Sequence, residues 1–156
     1  DVLVESSAYR TADWTVDVFG EGPHRERLQQ RSEALGGFVR FCGFSEDVIR
    51  EMTESRGVVI PSRWESGPYV LLEAMACARP VIASDVDAMP RIIQQAQCGT
   101  LFESGDPVSL AAALDTITKS DDVTEIGRRG YRAVQTMSTR HMAEQTVDIY
   151  SKLLPR

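Results

Sequence analysis

The segment that most constrains the fold lies between residues 57 and 76, where the sequence changes character twice. It begins with an apolar run at 57–60, passes through a polar turn that contains Gly67 and Pro68, and ends in strong helix formers. Short apolar runs bounded by turn residues are typical of buried strands. The segment therefore predicts a strand, a loop and a helix, in that order.

The same alternation continues along the rest of the sequence. Short strands of this kind, separated by helices of roughly ten residues, are typical of βα units that build a parallel sheet. We therefore expect an α/β fold, a Rossmann-like parallel sheet flanked by helices, as a single domain over residues 1–156. Residues 1–12 are expected to be the tail of a helix, and two amphipathic helices are expected at 122–136 and 139–154. The other predicted strands lie at 14–19, 38–41, 79–84 and 99–102.

Turn residues mark the expected starts of three helices. Pro23 and Pro68 are expected as first helical residues, where the missing N–H group costs nothing. Ser45 is expected as the N-cap of a helix that extends through Ser55.

Charge and cysteine content exclude some classes of function. The net charge is −6, and no block of Lys and Arg is longer than Arg128-Arg129, which argues against a nucleic-acid surface. The three cysteines lack metal-type spacing, so we expect small buried thiols in a reducing compartment and no metal site. No apolar run approaches the ~18 residues of a membrane span, and no signal-peptide pattern opens the sequence, so a cytoplasmic protein is expected.

The polar loop at residues 61–68, here named the focal loop, carries groups suited to a phosphorylated ligand. Ligands of open parallel sheets bind at the carboxyl ends of the strands, and this loop follows one of them. If the helix starts at Pro68, the N–H groups of Tyr69 and Val70 are unpaired at its positive end, which favours a phosphate. Glu73 shares the helix face of Tyr69 and can accept two hydrogen bonds from a ribose, while Glu65 precedes the helix. A nucleotide sugar matches this order of groups.

These residues also carry a family resemblance, which covers nearly the whole chain. Glu65 and Glu73-Ala74-Met75-Ala76 resemble the E-x7-E signature of retaining, nucleotide-sugar-dependent glycosyltransferases of the GT-B fold. Three further segments resemble motifs of the same glycosyltransferases, namely Gly20-Glu21-Gly22-Pro23, Phe41-Cys42-Gly43-Phe44 and Cys98-Gly99-Thr100-Leu101-Phe102.

The resemblance implies roles for individual residues. Glu65 corresponds to the first motif glutamate, the catalytic candidate that contacts the donor sugar, and Glu73 to the second, which holds the ribose hydroxyls. Turnover in such enzymes needs no metal, so no cofactor is expected beside the nucleotide-diphosphate sugar substrate. The other donor-binding candidates are Gly20, Gly22, Phe44, Gly67, Tyr69 and Val70.

Two departures from the family pattern affect the predicted pocket. Pro68 removes one backbone donor from the loop. Where relatives often have Gly-Gly-x-Pro-Glu, this chain has Asp87-Ala88-Met89-Pro90-Arg91, which changes the side of the pocket that faces the donor sugar.

The resemblance also implies that the sheet is incomplete. The family's domain opens with a strand that carries an Arg and a Lys for the diphosphate, and residues 1–12 correspond to the helix after it. In the usual strand order the missing strand lies between the strands at 15–19 and 57–60, and a sheet without it has two unpaired inner edges. We therefore expect a fragment of a longer, two-domain protein, although Val2-Leu3-Val4 could partly fill the slot.

The expected function is that of the donor-binding domain of a retaining glycosyltransferase, with a role in polysaccharide biosynthesis. Its acceptor, a glycan, a lipid or a small molecule, would bind the missing N-terminal domain, and the resemblance allows peripheral membrane association of the full-length protein. The isolated chain is expected to be inactive. A glycosidase is disfavoured because eight residues of helix span ~12 Å, whereas glycosidase carboxylates lie roughly 5–10 Å apart across the bond. A non-catalytic nucleotide-sugar-binding or interaction domain remains the alternative.

Overall fold

Strands and helices alternate throughout residues 1–153, which are the residues that the computed structural model describes. In chain order the elements are α1 (Val2–Ser6), a 3-10 helix (Ser7–Tyr9), β1 (Val16–Phe19), α2 (Arg25–Ala34), β2 (Val39–Gly43), α3 (Val48–Glu54), β3 (Val58–Ile60), α4 (Tyr69–Ala76), β4 (Val81–Ser84), α5 (Met89–Ala96), β5 (Gly99–Phe102), α6 (Pro107–Lys119), α7 (Val123–Val134) and α8 (Thr139–Leu153).

All strand pairs in this part of the chain are parallel. β1 pairs with β2, with Val16 opposite Val39, and β4 lies between β3 and β5, with Val81 opposite both Val58 and Gly99. The predicted α/β fold with a parallel sheet flanked by helices is therefore confirmed.

The strands form two sheets rather than one, in the orders β1-β2 and β3-β4-β5. Within the described residues, β1 and β3 each lack a partner on one edge, as expected for a sheet without a central strand. A groove of about 800 Å³ separates them and is lined by both strands. The expectation that Val2-Leu3-Val4 could fill this slot is wrong, because these residues begin helix α1, where the Asp1 carboxylate accepts a hydrogen bond from the Val2 N–H at 2.8 Å.

Helices cover both faces of the three-stranded sheet. Val81 and Ala83 point to one face, where they pack with α4 and α5, and Ile82 points to the other, where it packs against Trp14 and α6. This alternation is the period of two that a strand imposes. Because β4 is buried along its whole length, it is the centre of the core.

A buried carboxylate fixes the segment that leads into β1. Asp115 on α6 accepts hydrogen bonds from the Thr11 N–H at 2.8 Å, the Ala12 N–H at 3.1 Å and the Trp14 indole N–H at 2.8 Å, and also from the Thr11 hydroxyl. Burial opposes ionisation, but these hydrogen bonds outweigh it and hold the pKa of Asp115 below the usual value. Asp115 therefore sets where β1 starts relative to the helical layer.

Two predicted helix starts, those of α2 and α3, differ from the structure. Helix α2 begins at Arg25 with His24 as its N-cap, two residues after Pro23. Helix α3 is capped by Asp47, whose carboxylate accepts from the Arg50 N–H at 3.0 Å. The Ser45 hydroxyl instead accepts from the Asp47 N–H at 3.2 Å, so Ser45 orients the residue that caps the helix.

The last two helices form as predicted, and they differ in packing. Helix α7 lies against α4 so closely that a Cβ atom on Gly127 would be 2.0 Å from the Ala78 carbonyl oxygen. Helix α8 is exposed over residues 140–153, and its predicted end at residue 154 lies outside the described residues. No helix in the described part of the chain is long and apolar enough to cross a membrane.

The cysteines are less uniform than expected. All three are free thiols, but only Cys98 is buried, whereas Cys42 is exposed and Cys77 is intermediate. Burial raises the pKa of the Cys98 thiol, which keeps it in the unreactive protonated form.

Candidate functional site

The carboxyl ends of the strands carry the loops in which the predicted site residues lie. Because all the strand pairs are parallel, each sheet presents its β–α loops at one edge. The loop between β3 and α4 contains Glu65, and the loop between β4 and α5 contains Asp87. Hydrogen bonds join these two neighbouring loops.

Glu65 is held at both its side chain and its backbone. The Ser62 hydroxyl donates to Glu65 Oε1 at 2.7 Å, and the Glu65 N–H donates to Asp87 Oδ2 at 2.6 Å. The Ser84 hydroxyl at the end of β4 donates to the Ser62 carbonyl at 2.5 Å. The β3–α4 loop is therefore tied to the end of β4 and to the β4–α5 loop. Sequence reasoning found Glu65 but gave no role to Ser62 or Asp87.

The start of α4 differs from the prediction. Pro68 has φ −80° and ψ 62°, the values of an inverse γ-turn, and it is the N-cap rather than the first helical residue. This turn directs the Tyr69 N–H to the Gly67 carbonyl at 2.8 Å, so the expectation that the Tyr69 amide is unpaired is wrong. Further along α4, the Leu72 N–H donates to the Pro68 carbonyl at 3.2 Å.

One accessible amide remains open at this helix start. Among the described residues, no acceptor faces the N–H groups of Val70 and Leu71, but Leu71 has no exposed surface, whereas Val70 is 42% exposed. Val70 was expected to offer its amide, and its N–H is the donor that a ligand can reach. Unpaired N–H groups at a helix N-terminus attract anions, and α4 has this donor and the dipole for a phosphate.

Glu73 lies one turn further along α4 and lines the groove between the two sheets together with Val70. Its side chain is exposed, and its carboxylate accepts no hydrogen bond from the described residues. On the opposite wall of the groove are Val18 and Phe19 of β1. A ligand phosphate at the start of α4 could therefore extend into the groove past Glu73.

The glycine turn after β1 lies beside the β2–α3 loop. Gly20 has φ +124°, a conformation that favours glycine, and its N–H donates to the Gly43 carbonyl at 2.6 Å. Phe44 follows directly and is 78% exposed. A Cβ atom on either Gly20 or Gly22 would meet no atom within 4 Å, so the backbone of this turn is open to a ligand.

Aromatic and charged side chains surround the focal loop. Trp64 and Tyr69 are each 75% exposed, which leaves their rings free to contact a ligand. Arg63 pairs with the Asp1 carboxylate at 3.0 Å, whereas Arg91 is exposed near the start of α5. In the described part of the chain, no group of three or more His, Cys, Asp or Glu residues could hold a metal ion.

Sequence comparison finds a family and individual relatives that this chain resembles. The family model described as glycosyl transferases group 1 matches residues 2–120. The alpha-maltose-1-phosphate synthase of Mycolicibacterium smegmatis is 37% identical over 114 residues, which are 67% of this chain and 30% of that protein. The phosphatidyl-myo-inositol mannosyltransferase of Mycobacterium leprae is 31% identical over 137 residues, which are 85% of this chain and 36% of that protein.

Solved structures share the fold. The Anabaena protein Alr3699/HepE, crystallised in complex with UDP and glucose, superposes with a TM-score of 0.82 at 22% sequence identity, over 97% of this chain and 44% of that one. The chain thus spans less than half the length of each of these relatives.

Proposed function

Because the chain belongs to the glycosyl transferases group 1 family, we propose that it is the donor-binding domain of a retaining glycosyltransferase. The whole protein would transfer a sugar from a nucleotide-diphosphate sugar to a glycan, a lipid or a small molecule. The observation that carries this proposal is the open and accessible amide of Val70, one turn before Glu73 on the wall of the groove.

The nucleotide half of the donor fits the groove side of α4. The Val70 amide and the helix dipole would hold the diphosphate. The Glu73 carboxylate would accept two hydrogen bonds from the vicinal hydroxyls of the ribose, since its oxygens have no other partner in the described residues. The open Gly20–Gly22 turn and the exposed ring of Phe44 would contact the base. The structurally similar HepE was crystallised with UDP, which supports a nucleotide as part of the ligand.

The sugar half of the donor would lie at Glu65. One carboxylate oxygen of Glu65 is bonded to Ser62, which leaves the other for the sugar. As the bond to the diphosphate breaks, positive charge develops on the sugar, and a nearby carboxylate stabilises it. Gly67 lies between Glu65 and the helix, so its backbone would contact the sugar and the diphosphate. The Val70 amide and the dipole would supply the countercharge for the phosphates, and we propose that transfer needs no metal.

Calorimetry with a panel of nucleoside diphosphates and their sugars tests the donor site. Glu73→Gln should weaken binding of every ligand that binds by about 10- to 100-fold, because hydrogen bonds to a charged group are worth about 1.5–3 kcal/mol. Glu65→Gln should weaken the binding of the sugar-bearing ligands only. Glu33→Gln, at an exposed position of α2 outside the groove, is the matched control. If the wild-type chain binds no member of the panel, the donor-site proposal is wrong.

A second proposal concerns the groove between the sheets. We propose that, in the whole protein, a further parallel strand lies between β1 and β3 and that an acceptor-binding domain faces the loops. A designed strand with a continuous apolar run, joined by a short loop to Asp1, tests the first part. It should raise the midpoint of thermal unfolding and slow amide exchange in Val16–Phe19 and Val58–Ile60. Unchanged exchange in both strands would contradict it.

The alternative, a domain that binds a nucleotide sugar without catalysis, is supported by the γ-turn at Pro68 and by Asp87-Ala88 and Arg91 at the sugar side. A transfer assay on the whole protein separates the two: Glu65→Gln should abolish transfer in an enzyme, and no transfer by the wild type would favour the alternative.

Residues 1–156 alone should bind the donor but transfer nothing. The proposed compartment is the cytoplasm, which the three free cysteines support.

A further inference from the structure

Asp87 has an unusual backbone conformation and an unusual contact. It lies in the loop between β4 and α5 with φ +51°, in the left-handed region that few non-glycine residues adopt. Its Oδ2 atom accepts a hydrogen bond at 2.6 Å from the backbone N–H of Glu65, which is 22 positions earlier in the chain. This chain therefore places a carboxylate at a position where the backbone conformation suits glycine.

This hydrogen bond acts on the residue that matters most for the sugar side of the site. Glu65 makes two bonds, with its carboxylate accepting from Ser62 and its N–H donating to Asp87. Ser62 is itself held by Ser84 at the end of the buried strand β4. The Ser62 bond fixes the tip of the side chain, and the Asp87 bond fixes the backbone from which that side chain extends.

The chemistry of the contact favours a positioning role. A hydrogen bond from an amide to an ionised carboxylate is shorter and about twice as strong as one between neutral groups. The φ of Asp87 is tolerated because Asp and Asn enter the left-handed region more readily than other side chains. Since Asp87 is exposed, its charge is partly screened, and the contact gives order to a loop rather than stability to the fold.

We propose that Asp87 is a positioning residue, which orients Glu65 towards the donor sugar by holding its backbone N–H. This inference rests on the proposed donor-binding function. It adds a determinant of sugar binding that acts through Glu65 and leaves the nucleotide half of the site, at Glu73 and the start of α4, unaffected.

Two substitutions at Asp87 separate the carboxylate from the backbone conformation. Asp87→Gly removes the acceptor and retains the left-handed conformation without strain. Asp87→Asn retains an oxygen acceptor and tolerates the same φ. Gln97→Gly is the matched control, since Gln97 also has a positive φ, at +48°, but lies at the end of α5 away from the loop.

Amide hydrogen exchange measured by NMR tests the hydrogen bond between Glu65 and Asp87 without any ligand. In Asp87→Gly the Glu65 amide should exchange about tenfold faster, the loss expected for one exposed charge-assisted hydrogen bond. Asp87→Asn should restore most of the protection, and Gln97→Gly should leave the Glu65 rate unchanged. Equal exchange rates at Glu65 in the wild type and Asp87→Gly would overturn the proposal.

Calorimetry with a nucleoside diphosphate and its sugar conjugate reads the functional consequence. Asp87→Gly should weaken the binding of the sugar conjugate several-fold and leave the affinity for the diphosphate unchanged. Asp87→Asn should have affinities close to those of the wild type. If exchange at Glu65 accelerates but the ratio of the two affinities stays the same, Asp87 is only a structural tie and the positioning role is wrong. Failure of the wild type to bind either ligand would instead overturn the proposed function, while exchange still decides whether Asp87 orders Glu65.

Discussion

Replacing Asp115 by alanine removes the acceptor that fixes the chain ahead of β1. Asp115 is 7% exposed, and the Trp14 ring that donates to it is 6% exposed. The substitution leaves the Trp14 indole N–H and the amides of Thr11 and Ala12 without their acceptor, and it removes a carbon atom and two oxygens from a packed site. Lys119 loses its ion pair with Asp115, at 3.8 Å, and keeps its hydrogen bond to the Thr11 hydroxyl at 2.8 Å.

The cost follows from the number of buried donors left unsatisfied. Each unsatisfied buried group costs about 1–3 kcal/mol of stability. Removing one partner of a buried ion pair costs about 3–5 kcal/mol in total. Because Thr11 lies nearer the surface and water can replace part of what it loses, we expect about 3–5 kcal/mol for Asp115→Ala. Domains of this size have about 5–15 kcal/mol of stability in all. Asp115→Asn keeps one carbonyl acceptor, and it should cost less.

Urea unfolding followed by tryptophan fluorescence measures this loss. Trp64→Phe in the background leaves the buried Trp14 as the reporter, since Trp64 is 75% exposed. Asp13→Ala is the control, because Asp13 is fully exposed in its pair with Arg10, and it should change the free energy of unfolding by less than about 0.5 kcal/mol. A loss below about 1 kcal/mol in Asp115→Ala, with an unchanged slope, would refute the assigned role.

The same carboxylate predicts a dependence on pH. The hydrogen bonds hold the pKa of Asp115 in the folded protein below its value in the unfolded chain. Its stabilising contribution is therefore complete above the unfolded pKa of about 3.9 and is lost as the pH falls through the folded value. The difference in unfolding free energy between the wild type and Asp115→Asn should be constant near neutral pH and shrink below about pH 4. A difference that grows on acidification would contradict the pKa assignment.

Two further substitutions test packing and the helix start. Gly127→Ala places a Cβ atom 2.0 Å from the Ala78 carbonyl oxygen and should cost about 1–3 kcal/mol by urea unfolding, whereas Gly22→Ala, in open space, serves as its control. Pro68→Gly adds an N–H group and removes the φ restriction that favours the γ-turn, so the Tyr69 amide can turn to a phosphate. Calorimetry should show several-fold tighter binding of a nucleoside diphosphate, and weaker binding would argue against a phosphate at this helix start.

The sequence predicted the fold well because the fold depends on periodic patterns. Buried β4 lies within the apolar run predicted as a strand at 79–84, and helix α7 lies within the amphipathic helix predicted at 122–136. These two features are local patterns, and one sequence contains the information for them. The unpaired edges of β1 and β3 instead followed from the strand order of the resembled family.

The details of the site were harder to predict because they depend on contacts between distant residues. Nothing in the sequence indicates that Asp87 bonds to the Glu65 amide or that Asp115 collects donors from residues 11–14. Pro68 was misplaced for another reason. Proline suits both the first turn of a helix and the centre of an inverse γ-turn, and the two differ only in ψ, which the residue type does not fix.

The two halves of the candidate site rest on different kinds of support. The open Val70 amide belongs to α4, whose residues Leu71, Ala74 and Met75 have no exposed surface, so the phosphate end is as rigid as the core. Glu65 instead depends on hydrogen bonds between loops, which open at a lower free energy than a packed helix does. Substitutions of Ser62 or Asp87 should therefore change the preference for the sugar without loss of nucleotide affinity, whereas substitutions beneath α4 should weaken both together.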